Sequence, residues 1–290
     1  MDSLGQRTEV EQGTDVEQGT DLEHGLPARQ TGPAKTLAFR VLSWWSAYWL
    51  AVLSHLLLFA IWWGASMRVP RFILPSPFDT LDTLFNPRYQ WPRHTLVTAV
   101  EVFGGFMLAS VVGIALAVVF SWSRTTSRAA MPLLVTLNMI PKVAMAPLFI
   151  VWLGYGVGPN VLITFAICFF PMIINTSRGL REVESDLIDL VRVLQASRMQ
   201  VFLKIQLPSA LPYIFAGMRV SSVLALAGAI VGEFIGSERG LGYVMMSLQS
   251  TIDTAGMFAG LALITLVGVV LYGCVALAER YFLTADARVS

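Results

Sequence analysis

Charge is what this chain most conspicuously lacks. Of its 290 residues only 13% are Asp, Glu, Lys or Arg, against roughly 25% in a typical soluble domain. Hydrophobic residues make up 55%, and the mean hydropathy is +0.65. That balance excludes a soluble globular domain and predicts an integral membrane protein. The net charge of +1 leaves no basic field for nucleic acid. Cys168 and Cys274 are the two cysteines, both inside apolar runs, and read as packing residues without a disulfide or metal role. His24, His55 and His94 show no ligand spacing with each other or with the cysteines. No G-x-x-x-x-G-K-[ST] loop is present, so the chain cannot cradle ATP phosphates in that manner. No His/Asp/Glu cluster or Ser/His pair at usable spacing supports a membrane-embedded enzyme.

What is present divides into a tail, residues 1–40, and a membrane domain, residues 41–290. The tail is polar and acidic and repeats V-E-Q-G-T-D at Val10 and again at Val16, with a degenerate L-E-H-G from Leu22. So little apolar surface cannot offset ordering entropy, which predicts disorder. With no basic region leading into an apolar core, the tail is not a signal peptide.

Apolar runs predict six spans. The first, Ser46 to Ser66, has Trp44, Trp45 and Trp49 at one end and Trp62 and Trp63 at the other, where aromatic rings favour the interfaces. The second runs from Thr95 to Phe120, with Glu101 read as a boundary carboxylate near its start. The third, Met131 to Leu153, is interrupted by Pro141 and Pro147 around Lys142 and should be kinked. The fourth is Val161 to Thr176, the fifth Pro212 to Val231 and the sixth Gly256 to Ala278. A lysine in mid-span costs about 2.5 to 3.5 kcal/mol on insertion scales and by default marks function, with snorkelling as the alternative. Lys142, Asn138 and Asn175 are therefore the candidate pathway residues, and Glu233, at the outer end of span five, a candidate gate or binding-protein contact. Each is also a candidate helix-to-helix hydrogen-bond partner.

An amphipathic segment, Asp186 to Tyr213, follows span four. Leu187, Leu190, Val191 and Leu194 form one helical stripe, with Asp186, Asp189 and Arg192 off it. Ser197 and Gln200 have capping-box spacing, which predicts a second short helix running toward Pro208. By pattern alone this is either a docking surface or a helix that lies on the membrane surface or packs on its own protein. Six spans put both termini on one side, with Arg124, Arg128, Arg178, Arg181, Arg192, Arg198 and Lys204, and the positive-inside rule makes that side cytoplasmic.

Several stretches carry a family resemblance. Gln195 to Pro208, with Ile205, Leu207 and Pro208 at the spacing G-x9-I-x-L-P, resembles the cytoplasmic signature loop of binding-protein-dependent ABC importer permeases. Asp189, Leu190 and Val191 stand where that signature has E-A-A, and Gln195 stands where it has glycine. Ile140 to Gly156, Phe170 to Thr176, Leu207 to Arg219 and Val231 to Tyr243 resemble the nitrate, sulfonate and taurine branch. The resemblance implies an all-α, six-helix type I importer permease with cytoplasmic coupling helices, in the bacterial inner membrane. It implies a homodimer working with two ABC ATPase subunits and an external substrate-binding protein. ATP and Mg would be used by the partner ATPase, and no cofactor would be bound by this chain. The coupling residues it implies are Asp189, Arg192, Gln195, Ala196, Ser197, Arg198, Phe202, Lys204 and Pro208, and the cargo is a small polar or anionic nutrient. The alternative function is an ion-gradient-driven transporter or channel, which would predict paired inverted repeats; none is found.

Overall fold

The computed structural model describes residues 33–183, 191 and 193–283. The repeat tail and the sites at Asp189 and Arg192 lie outside the described residues. Among those described, regular structure is entirely helical. Two units are distinguished, one reaching Leu56 and the other starting at Leu57. The first contributes most of α1, Pro33–Ser66, where the stretch Trp49–Ser66 has no buried residue.

In the second unit, α2 (Pro77–Phe85) opens with Ser76 and Asp79 capping each other's backbone. The hydrogen bonds from Ser76 hold the Asp79 carboxyl below the usual carboxylate range. The long helices are α3 (Trp91–Ser121), α6 (Val157–Gly179), α7 (Arg198–Gly236) and α9 (Thr254–Phe282), each apolar enough to cross a bilayer. Between them lie α4 (Arg124–Asn138), α5 (Ala146–Leu153) and α8 (Leu241–Ser250).

Helix α6 is packed between α3 and α7 because glycines let the backbones close in. A Cβ on Gly105 of α3 would lie 2.4 Å from Thr164 Cβ, and one on Gly228 of α7 would lie 2.8 Å from Thr164 Cα. Small residues at crossings are how apolar helices gain packing where lipid offers no hydrophobic drive. The main cores follow: Val102, Phe106, Cys168, Phe215 and Val267 in one cluster, Ile173, Leu180, Phe202 and Ile214 in another. Cys168 is a packing residue whose Sγ donates to Ser221 O at 3.2 Å.

Two expectations need correction. The third span is more than kinked: α4 and α5 meet across a 3-10 turn at Lys142–Met145 with a 77° bend, so among the described residues five helices qualify as spans and six only if this pair counts as one. Pro141 ends α4 by removing a donor and disfavouring helix at Ile140. The short helix predicted after Ser197 is also not separate. It continues through a π-helical turn, Phe202–Gln206, into the fifth span as one 39-residue helix, α7.

Candidate functional site

Two sites stand out, at opposite ends of α7. The first is the loop that leads into it. Gln195 adopts φ 54, and the next N–H, from Ala196, bonds back to Val191 O at 3.0 Å. That six-to-one bond across a left-handed residue is the Schellman helix stop, where glycine is favoured because it has no Cβ. The position at which the signature has glycine thus keeps the left-handed conformation, with glutamine bearing the strain. Ser197 Oγ then accepts from Gln200 N, and Gln200 Oε1 accepts from Ser197 N at 2.8 Å, completing the expected capping box. Arg198, Lys204 and Pro208 are exposed, as are the apolar Met199 and Leu203. Phe202 is different: it is buried and meets Trp122 edge-on at 6.1 Å, so it anchors the loop to the end of α3.

At the other end α3, α6, α7 and α8 enclose a cluster of polar side chains. Thr98 Oγ1 donates to Glu233 Oε1 at 2.6 Å and accepts from Leu241 N at 2.8 Å. Gly242 N donates to Glu233 Oε2. Asn160 Nδ2 donates to Glu101 Oε1 at 2.9 Å and to Ser237 Oγ at 2.7 Å. Glu101 and Glu233 are each 1% exposed, and their carboxyl groups adjoin one another. Close by, His94 Nδ1 accepts from Gly240 N at 3.1 Å. Tyr89, just outside the span, donates to Asp253 Oδ2 at 2.7 Å, and burial, ahead of that carboxylate, pushes its phenol above the usual range.

This cluster corrects one expectation: Glu101 is no boundary carboxylate, because the start of α3 is covered by α6 and α7. Glu233 sits inside α7, enclosed by Gly240 and Gly242, and is itself buried. Sequence reasoning missed Thr98 and Asn160 altogether. A signal for Glu101 existed, since an ionisable residue within a long apolar run is a functional candidate by default.

Of the pathway candidates, Lys142 and Asn138 are brought together. Lys142 Nζ donates to Asn138 O and to Asn138 Oδ1, both at 2.5 Å, and lies 4.6 Å from the Phe170 ring centroid. It satisfies one backbone carbonyl, Asn138 O, left open by the break after α4. Asn175 instead bonds within α6, to Pro171 O at 2.8 Å. No group of three or more His, Cys, Asp or Glu suited to a metal occurs among the described residues.

Helices long and apolar enough to cross a bilayer define the class among the described residues: a helical, multi-pass membrane protein. Comparison with known proteins sharpens this. Residues 109–282 match the family of binding-protein-dependent transport system inner membrane components, and the chain belongs to that family. It is 32% identical over 233 residues to the formylaminopyrimidine transport permease protein ThiX of Halalkalibacterium halodurans, covering 80% of this chain and 93% of that one. It is also 32% identical over 237 residues to the putative aliphatic sulfonates transport permease protein SsuC of Bacillus subtilis, covering 77% and 83%. Its fold is similar to an inward-facing structure of the MetNI methionine ABC transporter, with TM-score 0.56 at 18% identity, covering 66% of this chain and 95% of that one. The type I importer fold and the sulfonate-type branch inferred from the motifs agree with these likenesses, and no relative supports the ion-gradient alternative.

Proposed function

We propose that this membrane subunit of an ABC importer works as a homodimer with two cytoplasmic ATPase subunits and an external substrate-binding protein. It provides the route for a small nutrient and takes its driving force from ATP and Mg bound by the partner, with no bond made or broken in its own chain. Both termini and the Gln195–Pro208 loop face the cytoplasm, and the Glu101–Glu233 cluster lies toward the outside. Family membership supports the partner set, and the excess of basic residues on the loop side supports the orientation.

The observation that carries this reading is the loop. A left-handed stop at Gln195 followed at once by the Ser197 cap makes a defined corner. That corner presents exposed Met199 and Leu203 beside Arg198 and Lys204. Apolar anchors rimmed by charge suit a protein groove, and the same helix runs on through the membrane domain. ATP-driven closure of the ATPases would press the loops together and shift the spans between two states.

The test is reconstitution with the ATPase and binding protein in liposomes. ATP-dependent uptake stimulated by the binding protein is expected, with Ala196→Glu and Arg198→Glu hydrolysing ATP without uptake. Uptake without an ATPase, or undiminished uptake in both variants, would overturn the reading.

A further inference from the structure

Glu101 on α3 and Glu233 on α7 are each 1% exposed, and their carboxyl groups lie within hydrogen-bonding reach of one another. Their other partners are divided unevenly. Glu233 accepts from Thr98 Oγ1, from Gly242 N and from Tyr243 N. Glu101 Oε1 accepts from Asn160 Nδ2 alone, and its Oε2 is buried without any donor. Asn160 has nothing left to give, because the other proton of its Nδ2 goes to Ser237 Oγ. The pair is therefore one donor short, and the gap is at Glu101.

Two ionised carboxylates in contact and out of water would repel each other with little screening, and each would lose its hydration as well. Side chains do not supply the relief. Arg239, on the wall of the cavity beside Glu101, forms no ion pair with either carboxyl among the described residues. Nor does a third Asp, Glu, His or Cys complete a metal group there. Backbone also closes over Glu233: a Cβ on Gly240 would lie 2.3 Å from its Cδ, and one on Gly242 would lie 2.8 Å from its Oε2. A proton needs no such room. Carried by Glu101, it converts the unpartnered acceptor into a donor and leaves the single remaining charge on Glu233, which already has three donors. Carried by Glu233 it would compete with those donors and leave Glu101 ionised with only Asn160 to support it.

We propose that Glu101 and Glu233 form a proton site, in which one proton carried by Glu101 is donated to the Glu233 carboxylate and ties the start of α3 to the end of α7. The site lies at the far end of α7 from the Gln195–Pro208 loop, and it depends neither on the cargo nor on the partner ATPase. Parting the two helices puts both carboxyls in water, where each is ionised at neutral pH. The joined state thus binds one proton more than the parted state, and parting becomes easier as pH rises.

The test compares the full-length purified chain in detergent micelles with Glu101→Gln and Glu233→Gln. At neutral pH the infrared difference spectrum between the first two should show the carbonyl stretch of one buried carboxylic acid, present in the wild type and absent from Glu101→Gln. Glutamine offers an N–H donor and a C=O acceptor in place of the acid, so Glu101→Gln should fold and be the better tolerated of the two variants. Glu233→Gln turns an amide NH2 toward donors and should lower the thermal midpoint. Relative to Glu101→Gln, the unfolding constant of the wild type should rise about tenfold per pH unit above the ordinary carboxylate range, because its native state keeps a proton that the unfolded chain has released. The titratable and charged neighbours are Tyr155, Glu238 and Arg239 on the cavity wall and His94 and Tyr243 beside α8. They are common to both chains and cancel in that ratio. A wild-type spectrum without the acid carbonyl, a band that survives in Glu101→Gln, or a Glu101→Gln chain that does not fold overturns the site. So does a ratio that does not change with pH, or Glu233→Gln as the better tolerated variant.

Discussion

Thr98 and Glu233 share one buried hydrogen bond, 2.6 Å from Oγ1 to Oε1, that joins the start of α3 to the end of α7. Because the same hydroxyl accepts from Leu241 N, it also fixes where α8 begins. Thr98→Val keeps the volume but removes both roles, leaving a buried carboxylate oxygen and a buried N–H unpaired. A loss of about 1 to 3 kcal/mol is expected, read as a lowered thermal midpoint of the purified protein. Thr98→Ser should recover most of it, and equal loss in both variants would point to packing instead.

Gln195 carries a conformation that costs a side chain about 1 to 2 kcal/mol. Gln195→Gly should therefore be neutral to slightly stabilising, its relief partly offset by the flexibility of glycine in the unfolded chain. Gln195→Val puts a branched side chain at a positive φ and should destabilise the corner. Amide exchange at Ala196, whose N–H donates to Val191 O, separates the two: slower or unchanged in the first, faster in the second. Equal exchange in both would mean that the left-handed stop is not populated.

Ser197→Ala removes one half of the capping box and should cost about 1 kcal/mol. The effect is local, so exchange of the Gln200 amide should accelerate while the thermal midpoint moves little. If the loop docks on an ATPase, uptake per ATP hydrolysed should fall as well.

Gly105 of α3 has Thr164 at its back, and Gly105→Ala would force α3 from α6 at a cost of about 1 to 3 kcal/mol. Thr164→Ala in the same chain should restore part of the loss, because it removes Cγ2, 2.5 Å from the added Cβ, although Thr164 Cβ at 2.4 Å stays. The backbone oxygen of Val161, 2.8 Å from the added Cβ, keeps the rescue incomplete. A double-mutant cycle measures this coupling, and strict additivity would contradict the close approach.

Much of this was legible in the sequence, for physical reasons. Long apolar runs fix spans because lipid allows the backbone few alternatives, and the Ser197–Gln200 box could be read because both partners are local. Gln195 was legible through its place in the motif, and its positive φ followed. Pro141 told where α4 would stop but not how far the chain would turn, since a bend of 77° depends on what α5 packs against. The pairing of Glu101 with Glu233 was hidden for a similar reason. It needs α6 to lie between α3 and α7 at a particular register, and a single sequence carries no record of which long helix faces which.

Helix α7 has one further consequence. Its 39 residues reach on the order of 60 Å at 1.5 Å per residue, with the loop at one tip and Glu233 near the other. The π-helical turn at Phe202–Gln206, with Pro212 inside the helix just beyond it, is a compliant joint along this shaft, and it lies beside the loop. A displacement imposed at Arg198 must be absorbed there or delivered whole to the carboxylates. The stiffness of those five residues sets the gearing between the two ends.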